Sequence, residues 1–69
     1  MIYRLEFYAG NDLHSIVDRK DLLIPRVGEM VRFDNSTLRI LSVVFMLNMR
    51  EEFPDGSKAT IIRFMCEVR

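Results

Sequence analysis

One cysteine and one histidine stand among the 69 residues of this chain, and that scarcity excludes several chemistries at once. Cys66 alone cannot form an internal disulfide, and a metal site would need a second strong ligand beside His14. Nucleophilic catalysis needs a base beside the nucleophile. The hydroxyl residues Ser15, Ser36, Thr37, Ser42, Ser57 and Thr60 have no histidine partner in any recognisable arrangement. The carboxylates are scattered through turns without paired spacing, and there is no glycine-rich phosphate loop. The chain is therefore expected to be neither an enzyme nor dependent on a metal or cofactor.

Net charge is also lacking. Ten basic and ten acidic residues cancel, so no overall field gathers nucleic acid or a membrane surface. No run approaches the roughly 18 apolar residues of a membrane span. Arg4 and Glu6 interrupt the N-terminal stretch before the core of a signal peptide could form. A soluble, cytoplasmic protein is expected, and a lone cysteine fits a reducing compartment. Within the alternating run Phe64-Met65-Cys66-Glu67-Val68, Cys66 reads as a buried small hydrophobe. His14 reads as a surface residue of a strand or turn.

What is present is period-two alternation. Tyr3, Leu5 and Phe7 share one face of residues 2 to 9, opposite Arg4 and Glu6, which predicts a strand covering a core. Ala9-Gly10-Asn11-Asp12 then supplies turn residues. Two readings compete beyond it. Leu13, Ile16 and Val17 recur near helical spacing with Asn11 or Asp12 as a cap, giving a short helix within 12–24. Alternatively His14-Ser15-Ile16-Val17 is a strand that pairs back as a hairpin, with Asp18-Arg19-Lys20-Asp21 as a charged surface loop.

The rest of the chain is written as bent strands. Ile24-Pro25 favours extended backbone, after which Val31 and Phe33 point inward and Met30 and Arg32 outward. Asp34-Asn35-Ser36-Thr37 is a polar turn. In the strand that follows, Leu38 and Ile40 share one parity and Val43, Phe45 and Leu47 the other. A single inward face then requires one extra residue near Leu41-Ser42, a β-bulge. Phe53-Pro54-Asp55-Gly56-Ser57 is a turn with glycine in the left-handed region. Thr60, Ile62, Phe64, Cys66 and Val68 alternate inward along the last strand. Residues 1–69 are thus expected to form a single all-β domain, a small, five-stranded, strongly bent antiparallel barrel.

The pattern Ile24-Pro25-Arg26-Val27-Gly28-Glu29, then Val31, then Leu38-x-Ile40-x-x-Val43-x-Phe45, resembles a group of very short uncharacterised proteins of bacteria, phages and mobile elements. It is similar, more loosely, to Src-homology-3-like small barrels, some of which contact nucleic acid. Those nucleic-acid modules usually carry a glycine-rich, basic loop after the first hairpin, and this chain has acidic Asp34 there. The resemblance implies a fold and no activity.

Two outward sets remain. Met30, Val44, Met46, Ile61 and Met65 are apolar and cannot all fit inside so small a barrel. Either segment 12–24 packs across them or another subunit or protein does. Self-association is the leading expectation, a C2 dimer being the commonest form. Arg4, Arg32, Arg39 and Arg63 alternate with Glu6, Asp34 and Glu67 as ordinary cross-strand pairs. Eight of the ten cations are arginine, whose planar fork suits phosphate or carboxylate. The alternative expectation is therefore a small-anion or nucleic-acid binder using Arg32, Arg39 and Arg63.

Overall fold

The computed structural model describes residues 2–69, with side chains throughout save those of residues 48–51. Five strands follow one another: β1 (Ile2–Ala9), β2 (Asp12–Arg19), β3 (Met30–Phe33), β4 (Ser36–Glu52) and β5 (Lys58–Val68). They form one sheet in the order β2-β1-β5-β4-β3, strongly curled into a half-barrel. No helix forms among the described residues, and therefore none long and apolar enough to cross a membrane.

Residues 12–24 are accordingly a strand followed by an irregular connector, and the strand runs two residues into the charged segment assigned to a loop. The turn decides this. Gly10 takes φ 64° while no non-glycine residue among those described has positive φ, the pattern of a two-residue hairpin with glycine first, whose twist suits adjoining antiparallel strands. β2 then pairs with β1 from Ala9↔Asp12 to Tyr3↔Arg19. β-branched Ile16 and Val17 are at ease there. The register passes from Phe7↔Ser15 to Tyr8↔Leu13, which leaves His14 as the extra residue of a bulge.

The strands are mixed, and not antiparallel throughout: β1 and β5 run parallel, from Ile2↔Ala59 to Ala9↔Cys66. A parallel pair requires a long crossover, and the whole of β2 to β4 provides it. The bulge expected near Leu41-Ser42 is present, since Ile40 pairs with Cys66 and Ser42 with Met65. Leu41 is the extra residue. It lets Leu38, Ile40 and Val43 face the same interior.

That interior holds Leu5, Phe7, Leu38, Ile40, Ile62, Phe64 and Cys66. Phe7 stacks on Phe64 with centroids 4.7 Å apart and meets Phe33 edge-on at 5.2 Å. Leu38, Ile40, Ile62 and Phe64 are fully enclosed, and each such burial contributes about 1.5–3 kcal/mol. Cys66 is buried as expected, and burial pushes its thiol above the ordinary value. The half-barrel stays open between β2 and β3, the two ends of the sheet order. There His14 spans the gap: Nε2 lies 2.7 Å from Ser36 Oγ, and the ring sits 5.3 Å from that of Phe33.

Candidate interaction surface

Register fixes which outward side chains are neighbours. Across the convex face, Arg4, Ile61 and Met46 stand in one row, Ile16, Glu6, Arg63 and Val44 in the next, and Leu13, Tyr8, Met65 and Ser42 in a third. Met30 lies farther along, opposite Arg39. The five apolar residues expected outside therefore do share this face. Met30 and Val44 are exposed, and Met46 and Met65 half-buried.

Ile61 departs from the expectation, being only 5 % exposed. Its neighbours in register are Arg4 and Met46, and the Phe53 ring from the β4–β5 turn lies 4.8 Å from the Arg4 guanidinium. Long side chains and a turn aromatic close over it. Segment 12–24 does not cover the set either. β2 lies at the far edge of the sheet, where Leu13 and Ile16 enlarge the apolar surface.

The three arginines do not form one cluster. Arg63 Nε donates to Glu6 Oε1 at 2.8 Å, its neighbour in register, and its guanidinium sits 5.7 Å from the Tyr8 ring. Arg32 donates weakly to Thr37 Oγ1 at 3.4 Å. Arg32 and Arg39 are diagonal neighbours on adjacent strands, about 7–8 Å apart. Arg39 faces Glu67, four residues along β5 from Arg63, or roughly 13 Å. Cross-strand pairing accounts for Arg4 as well, which holds Asp18 through two bonds of 2.9 and 3.1 Å.

The concave side carries apolar surface that sequence reasoning missed. Phe45 and Leu47 have the inward parity yet are 50 % and 70 % exposed. β3 flanks β4 only from Ser36 to Arg39, so the core ends before β4 does. Beyond Val43 the inner face meets the connector, where Leu22, Leu23, Ile24, Pro25 and Val27 line a cavity of about 380 Å³ with Val43 and Phe45. Leu23 is 78 % exposed. The signal was available in the sequence: Leu22-Leu23-Ile24 is an apolar run with no alternation, and a covered strand does not explain it.

A second, polar cavity of about 410 Å³ opens at the β2–β3 gap, lined by His14, Ser15, Arg32, Phe33, Asp34, Asn35 and Ser36. Two hydroxyl residues do have a histidine partner here, contrary to expectation. His14 Nδ1 lies 2.7 Å from Ser15 Oγ, and Nε2 is as close to Ser36 Oγ. Topology, not spacing, brings Ser36 within reach, 22 residues away. A neutral imidazole donates through one nitrogen and accepts through the other. Both hydroxyls thus hold the ring across the gap. Among the described residues, no three histidine, cysteine or acidic side chains gather as a metal set.

β4 itself has a bare side. Gly28 N donates to Ile40 O and Ile40 N to Glu29 O, which extends the β3 pairing by one step. Past Ile40, no backbone bond among the described residues reaches that side of residues 42–47. No family model, curated protein or solved structure matches this chain.

Proposed function

We propose that this chain acts by binding and not by catalysis, as a cytoplasmic protein-interaction module that associates with itself. A bacterial or mobile-element setting goes with the Pro25-Arg26-Val27-Gly28-Glu29 resemblance. One observation carries the reading: between Leu41 and Leu47, β4 exposes apolar side chains on both faces, Val44 on the convex side and Phe45 and Leu47 on the concave. Apolar surface uncovered on both faces marks a contact site in so small a protein. The methionines beside it suit an adaptable contact.

A small-anion or nucleic-acid role has weaker support. Arg32 and Arg39 alone are adjacent, and Arg63 is engaged by Glu6. The test of the leading reading is solution mass by light scattering across a dilution series. A dimer or larger species is expected for the wild type and a monomer for the Val44→Glu, Met46→Glu double variant. A double variant that keeps its oligomer removes the reading.

A further inference from the structure

We infer that the bare edge of β4 pairs antiparallel with β4 of a second copy, joining two five-stranded sheets into one of ten strands. This rests on the self-association proposed above and names its geometry. Every second residue of an edge strand turns its N–H and C=O away from the sheet. Along residues 42–47 those groups have no backbone partner among the described residues on the side away from β5. Only another strand satisfies them in series, which selects a strand over a helix or a loop as occupant.

The three edges of this molecule are treated differently. Edge strands of stable monomers are blunted by charge, proline or shortness. β3 is four residues long and carries Arg32, while β2 carries Asp12, Asp18 and Arg19. From Ile40 to Met49 there is no charge, proline or glycine, the longest such run in the chain. Of the three unpaired edges, that of β4 is therefore the one left unguarded.

The occupant is argued from the same strand. A strand added beside Val43 to Leu47 must be apolar on both its faces, because its neighbours are. β4 has that character, and the chain's zero formal net charge sets no repulsion between copies. An isologous contact places the same segment on both sides of a twofold axis. Directly opposed residues point to the same face, whereas successive residues alternate, so the axis must pass through one residue opposed to itself. Val44 and Phe45 are the central candidates.

The test combines sedimentation with amide hydrogen exchange read by nuclear magnetic resonance at high and low protein concentration. The expected result is a dimer in which alternate amides of residues 43–47 are protected, and a dilute monomer in which they exchange freely. Phe45→Lys should move dimerisation to a concentration at least roughly a hundredfold higher, because two phenylalanines leave the seam. Ile16→Lys, on β2 at the far edge of the sheet, should leave it unchanged. A dimer in which the amides of residues 43–47 all exchange freely overturns edge pairing and leaves self-association standing. So does a Phe45→Lys protein that dimerises like the wild type. A monomer at every concentration ends both.

Discussion

Arg4 and Asp18 show what a single pair contributes. They are opposed in register on β1 and β2 and share two hydrogen bonds. The Arg4 guanidinium, chiefly by that bonding, holds the Asp18 carboxyl below its ordinary pKa. A depressed carboxylate stabilises the fold above its unfolded pKa, and that contribution is lost as pH falls through the folded value. Thermal melts of wild type and Asp18→Asn should therefore differ near neutral pH and converge from about pH 5 downward. The difference should be small, since the carboxylate is partly exposed. A gap that stays constant with pH would mean that the charge on Asp18 is not its source. The pairing of Arg63 with Glu6 was legible because opposite charges alternate along strands, whereas Asp18, the partner of Arg4, was expected in a loop. The bridging role of His14 was not: its partner Ser36 is a neighbour only after the sheet has curled.

At the scale of elements, the bulge at Leu41 reconciles two parities within one strand. An unbulged strand of the same length would put Val43 and Phe45 on the convex face, or else Leu38 and Ile40, because a one-residue slip reverses every side chain beyond it. Deleting Leu41 removes the extra residue, so β4 meets β5 one to one and plain alternation keeps Leu38, Ile40, Val43 and Phe45 on the concave side. The deletion variant should therefore keep cooperative thermal unfolding by circular dichroism, and a loss of the cooperative melt would refute the role given to Leu41. That feature could be read from a change of parity in an otherwise unbroken apolar strand. The direction of β1 relative to β5 could not, since alternation has the same period in parallel and antiparallel sheets. Nor does alternation say what covers a residue. Ile61 has outward parity and is buried, Phe45 inward parity and is exposed, because coverage depends on where neighbouring strands and turns end.

For the molecule as a whole, the proposed pairing of β4 with a second copy would make stability a property of concentration. A partner that binds only the folded state adds to stability by mass action, and each kcal/mol raises the melting temperature of a domain this size by about 4–8 °C. The midpoint should climb steadily as protein concentration is raised in calorimetry. A midpoint indifferent to concentration would show that the folded chain gains nothing from its own kind.

The parallel seam between β1 and β5 governs timing as well as shape. Glu6 and Arg63, which face each other across it, are 57 residues apart in sequence. As the chain leaves the ribosome, β1 and β2 can fold back on each other at once, yet Leu5 and Phe7 have no interior to enter until β5 emerges. Until β5 has been made, a β1–β2 hairpin would present an unsealed apolar face, and the core is sealed only when Ile62, Phe64 and Cys66 join it.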